Sequence, residues 1–187
     1  MNIYSLLYHT NIINTDNGGD RLMRKLNEFF CIIEKEKIYL EERNLNQYLF
    51  NGIYFKAPDL PPVIIVEKSI VNDRCKYISI LAEELGHHFT SLGNLTIESK
   101  NYSEKLMKNK QEHKAKSWAA NFLISDDEFL QALCNCISTP CEICDFFNIT
   151  NEMLQYKIHS IVVDENRYNH IRSALKRKEV PYNSCEI

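Results

Sequence analysis

The sequence predicts an α+β fold: one mainly helical domain with a small three-stranded sheet early in the chain. Three observations lead there. Three short runs rich in Ile, Val, Tyr and Phe fall between residues 37 and 68, with turn-forming residues between them. From about residue 73 onward the apolar positions recur at helical spacing. The chain has 187 residues, 44% hydrophobic and 25% charged, which is enough apolar material for one core. It contains no internal repeat and no low-complexity linker.

Taken in order, "DRLMRKLNEFFCIIEKE" (20–36) places Leu22, Leu26, Phe29, Phe30 and Ile33 on one helical face, with Asp20 as its expected N-cap. "KIYLEE" (37–42), "LFNGIYFK" (49–56) and "PVIIVEK" (62–68) are the three strand runs, punctuated by Asn51-Gly52 and Pro61-Pro62. A helix is expected from Asp73 to about Ser91, carrying Ile78, Leu81, Leu85 and His88 on one face and ended by Gly93-Asn94. Residues 101–125 read as a second long helix, charged in its first half and apolar in its second (Trp118, Ala119, Phe122, Leu123). Ser125-Asp126-Asp127-Glu128 signals the cap of a further helix through about Leu133. Residues 138–161 read as helix, tight turn, helix. Residues 166–187 read as a weakly structured C-terminal tail, which places the domain at 1–165.

The charge balance, 22 Lys and Arg against 25 Asp and Glu, gives a net −3 and no basic field for nucleic acid. No apolar run is long enough to span a bilayer, and the first twenty residues lack a signal-peptide layout. The expectation is a cytoplasmic protein with no membrane partner. Seven cysteines suit reduced thiols there better than a disulfide framework.

"ISILAEELGHHFTSLGN" (78–94) carries the chemistry. Its centre, Glu83-Glu84-Leu85-Gly86-His87, has the form of H-E-x-x-H with glutamate in place of the first histidine. Residues four apart on a helix share a face, so Glu83 and His87 can grip one ion, leaving Glu84 beside it as general base. The other register, Glu84 with His88, would leave inert Leu85 in the base position. The structural alternative is a solvated helix whose acidic start and histidine-rich end simply suit the helix dipole. Gly86 costs a helix about 1 kcal/mol relative to Ala. Its presence suggests a close neighbour, either a strand of the sheet or a substrate.

These residues, together with "EHKAKSWAANFLIS" (Glu112 through Ala115, Trp118 and Ala119 to Ser125), resemble the ImmA/IrrE family of metallopeptidases. Members of that family carry an H-E-L-G-H helix after a three-stranded sheet, then a helix close to E-x-x-A-x-x-F/W-A. The likeness covers about residues 20–165, and the segment 138–161 resembles the family's C-terminal helical portion. It implies a zincin-like fold, His87 and Glu112 as metal ligands, Glu84 as general base, and one zinc or manganese ion. Glu83 stands where the family has its first histidine. A carboxylate ligates zinc at about 2.0–2.2 Å, so a Glu83/His87/Glu112 set is chemically sound, though harder and more anionic. The implied substrate is a transcriptional repressor, typically encoded nearby on a phage or mobile element. The alternative is a catalytically silent domain that binds such a repressor.

Other groups attract weaker readings. Cys134, Cys136, Cys141 and Cys144 are spaced too tightly for a familiar four-cysteine zinc site and read as structural. His88 reads as a packed helical histidine and His113 as solvated. The 138–161 segment has helix-turn-helix character, but its second helix offers only Lys157 to phosphates, with Glu152 opposing, so no direct nucleic-acid contact is expected.

Overall fold

The computed structural model describes residues 17–48, 50–91 and 101–177. Helix α1, Asn17–Lys35, buries Leu22, Phe29 and Ile33, three of the positions expected from periodicity. It begins three residues before Asp20, which therefore lies within the helix and not at its cap.

The three strand runs form one sheet: β1 (Tyr39–Arg43), β2 (Gly52–Phe55) and β3 (Val63–Glu67), in the order β1-β3-β2. Central β3 pairs parallel with β1 and antiparallel with β2. Ile64 and Val66, two apart on β3, are fully buried, as a period of two requires of a sheet covered on one face. The bond from the Glu67 N–H to the Asn51 carbonyl continues the β2–β3 ladder. In an antiparallel register this leaves the Gly52 and Tyr54 backbone groups pointing away from β3.

Helix α2, Arg74–Thr90, starts at Asp73, whose carboxylate accepts from the Lys76 N–H at 3.1 Å. Its last turn closes at Ser91, and Gly93-Asn94 lies outside the described residues. Helix α3, Tyr102–Leu123, is capped by Asn101 and makes with α2 the most extensive helix pair in the fold. Capping boxes at Ser125/Glu128 and Thr139/Glu142 open α4 (Asp126–Cys134) and α5 (Pro140–Phe147). Asn148 then adopts a left-handed conformation, φ 52°, and Thr150 caps α6 (Asn151–Val162). The expected helix-turn-helix is therefore present. It packs inward: the Thr150 N–H donates to Ser79 Oγ on α2 at 3.1 Å, and α6 lies along α3.

The expected tail, 166–187, needs correction: residues 166–177 belong to helix α7 (Glu165–Arg177), and 178–187 lie outside the described residues. Ile171 is buried, and Arg167 donates to both carboxylate oxygens of Asp126, at 2.7 and 2.6 Å. Cys31, Cys75, Cys134, Cys141 and Cys144 are free thiols among the described residues. Among the described residues no helix is long and apolar enough to cross a membrane.

Candidate metal centre

Helix α2 presents two chemistries on two faces. Glu83 and His87, one turn apart, face α3, and Glu84 and His88 face β2. On the α3 side, Glu83, His87 and Glu112 bring one donor atom each to within 4.8 Å of one another, the one such group of metal-binding side chains among the described residues. His87 Nε2 stands 3.4 Å from Glu112 Oε2. Ligands at about 2.1 Å from a tetrahedral ion stand about 3.4 Å apart, so this pair already has the spacing an ion needs. The donor set of two carboxylate oxygens and one imidazole nitrogen, with His87 buried, suits a borderline divalent cation.

Helix packing makes the approach possible. Gly86 lies against the backbone of Ala115 on α3: a Cβ there would sit 2.3 Å from the Ala115 carbonyl oxygen. The close neighbour that Gly86 admits is thus the second motif helix, not a strand or a substrate. Because His87 follows Gly86 and Glu112 lies three residues before Ala115, the contact that spends helix propensity is what brings the two side chains together.

Glu84 is 5% exposed. Burial pushes its carboxyl well above the ordinary carboxylate range, and the charges of Glu83 and Glu112 push it the same way; the Tyr54 backbone N–H donates to it and acts in the opposite sense. Gly52, on the same strand, leaves room for this carboxylate, since a Cβ there would meet Glu84 Oε1 at 2.5 Å. Burial also raises Glu83, with Lys116 opposing the shift. Glu112 is lowered, first by its hydrogen bond with His87.

Sequence reasoning missed two residues here. Ser91 Oγ lies 3.0 Å from His87 Nδ1. Without an ion, Nε2–H donates to Glu112; with an ion bound, the ring proton would shift to Nδ1 and be donated to Ser91 Oγ, freeing Nε2 to ligate. The signal was the i, i+4 spacing from His87 to Ser91. Lys116, one turn beyond Glu112, places Nζ 3.6 Å from Glu83 Oε1 and 2.6 Å from Glu152 Oε1. His88 packs as expected of a structural histidine. Its Nδ1 is 3.0 Å from the Tyr54 hydroxyl, and its ring meets Phe89 edge-on. His113 is exposed, with its ring against Tyr156 and His159.

The family described as the IrrE N-terminal-like domain, a peptidase family, matches residues 33–159. The chain is similar to Metallopeptidase ImmA of Bacillus subtilis (strain 168): 30% identical over 152 residues, covering 79% of this chain and 85% of that protein. No solved structure matches. The match spans the sheet, both motif helices and most of α6, and on it this chain belongs to the ImmA/IrrE family of metallopeptidases.

Proposed function

We propose that this protein is a metal-dependent endopeptidase that hydrolyses a peptide bond in a transcriptional repressor or regulator. The observation that carries the reading is the convergence of Glu83, His87 and Glu112 beside a buried Glu84 that faces an edge strand. Those three residues would hold zinc or manganese, which when bound would supply Lewis-acid activation of water and of the scissile carbonyl. Glu84 would accept a proton from the attacking water at its carboxylate and return it to the leaving amine. Tyr54 and Gly52 hold Glu84 in place, the first by its N–H and the second by lacking a side chain. The Gly52 backbone groups and the Tyr54 carbonyl, which point away from β3, offer an extended peptide a strand to pair with, running past Glu84. Ser91 fixes the orientation of His87.

Glu84→Gln tests the chemistry without dismantling the site. It keeps shape and polarity but removes the proton acceptor. Zinc content and thermal stability should match wild type while cleavage of the repressor encoded nearest this gene falls about 10²-fold or more. His87→Ala should lose metal and cleavage together. Glu84→Gln that cleaves as fast as wild type would refute the mechanism.

A second reading, a silent domain that binds the repressor, has one observation in its favour: Glu83 already faces a cation, Lys116. Under that reading the purified, zinc-reconstituted protein holds no ion and still binds the repressor.

A further inference from the structure

Lys116 brings an ammonium within charge range of a candidate ligand, Glu83. It lies on α3 four residues after Glu112, so it shares that residue's face. Its Nζ is 2.6 Å from Glu152 Oε1 on α6, 3.6 Å from Glu83 Oε1 on α2, and 5.9 Å from the centre of the Tyr156 ring. The two carboxylates are not equivalent partners. The contact with Glu152 is a short charge-assisted hydrogen bond, whereas 3.6 Å to Glu83 is too long for one and acts through charge. Glu152 is the more exposed partner, with side-chain exposure of 55% against 14% for Glu83. Lys116 is thus tethered at the rim and leans over the ligand set.

We propose that Lys116 is a built-in cation that competes with the divalent ion for Glu83, and that Glu152 sets how strongly it competes. The inference rests on the metal-centre reading above. Its physical basis is charge. A histidine at position 83 would be neutral, but Glu83 adds a third carboxylate to a cluster that already holds Glu84 and Glu112. Lys116 supplies the positive charge that offsets it. A divalent ion on the same carboxylate would then stand within several ångströms of the ammonium, and like charges at that range repel, more so where water is partly excluded. Glu152 draws Lys116 outward and relieves the repulsion. Ion affinity therefore depends on a residue of α6 that does not touch the ion.

The two partners should act with opposite signs. Zinc affinity of the full chain is measured by competition with a chelator for wild type, Lys116→Met, Glu152→Gln, the double variant and His87→Ala. Thermal unfolding of each metal-free protein confirms that it folds. Lys116→Met should tighten zinc about tenfold, within the range by which residues behind metal ligands tune affinity. Glu152→Gln should weaken it several-fold. The double variant should match Lys116→Met alone, since Glu152 acts only through the lysine, and Lys116→Arg should stay near wild type. Unchanged or weaker zinc binding by Lys116→Met overturns the proposal. So does a Glu152→Gln effect that persists in the double variant. His87→Ala separates the two readings. If it binds zinc as wild type does, the metal centre is wrong and the proposal falls with it. If it abolishes binding while Lys116→Met changes nothing, only the competition is wrong.

Discussion

Gly86→Ala sets two effects of known sign against each other. Helix propensity favours alanine by about 1 kcal/mol. Packing opposes it, because the new Cβ would lie 2.3 Å from the Ala115 carbonyl oxygen, 2.9 Å from its carbonyl carbon and 3.0 Å from its Cα. Carbon approaches a carbonyl oxygen comfortably at about 3.3 Å, so the helices must part by about 1 Å. The clashing atoms are backbone in a fully buried stretch, so no side chain can swing aside to absorb it. Overpacking of this kind costs about 1–3 kcal/mol, and the propensity gain cancels only part. The expected net loss is up to about 2 kcal/mol, a fall in Tm of up to roughly 8 °C for a chain of this size. The same separation widens the 3.4 Å gap between His87 and Glu112, so zinc affinity should fall about tenfold or more. Thermal unfolding of the metal-free protein and chelator competition measure the two losses independently. A variant with raised Tm and undiminished zinc affinity would show that the crossing does not set the site.

Gly52→Ala should behave differently, because its Cβ would meet movable side-chain ends, Glu84 Oε1 and Ile80 Cγ2, each at 2.5 Å. Stability should drop by less than about 1 kcal/mol and zinc affinity hold, while cleavage falls about tenfold or more from a displaced Glu84; a loss of zinc affinity equal to the loss of cleavage would contradict this. Asp126 predicts an acid limb. Hydrogen bonds from Arg167, joined by Lys157, hold its carboxyl down to about 2 from an ordinary 3.8. A depressed carboxyl contributes stability that is present above pH 3.8 and lost as pH falls through 2. After discounting for partial exposure the contribution is about 1–2 kcal/mol. The urea midpoints of wild type and Asp126→Asn should therefore converge between pH 4 and 2, and a constant gap over that range would refute the assignment.

The elements that were legible in the sequence are those whose signals are local. Asp73, Asn101, Ser125, Thr139 and Thr150 each satisfy backbone N–H groups within the next turn, so the caps of α2 to α6 sit within four residues of their cause. The alternation of Ile64 and Val66 needs no knowledge of the rest of the chain. The pairing of Glu83 with His87 follows from one helical turn, and Glu112 became a candidate through family resemblance. What escaped was set at long range. Helix α7 carries a single buried apolar residue, Ile171, and is anchored chiefly by Arg167 reaching Asp126 and Asn121 more than forty positions earlier. Lys116 looked like one more charge in a charged helix half until α2 and α6 brought Glu83 and Glu152 to it. Gly86 announced a close neighbour but carried no information about which.

The segment that looked most like a nucleic-acid reader shows why pattern and role part company. Lys157, the lysine of α6 that would have met phosphates, is 1% exposed. Its ammonium donates to Asp126 Oδ1 at 2.6 Å and Asn121 Oδ1 at 3.1 Å. Burying an ammonium is costly unless its hydrogen bonds are met, and here they are met by the last turn of α3 and the first of α4. At the other end of α6, Thr150 is tied to Ser79 on α2, and Glu152 to Lys116 on α3. The helix therefore touches both motif helices, with hydrogen bonds at its N-terminal end and near its middle. The Gly86–Ala115 crossing can hold Glu112 at 3.4 Å from His87 only if neither helix slides, and α6 resists that sliding. In this chain the helix-turn-helix braces the α2–α3 crossing, and its one lysine is committed to Asp126 and Asn121.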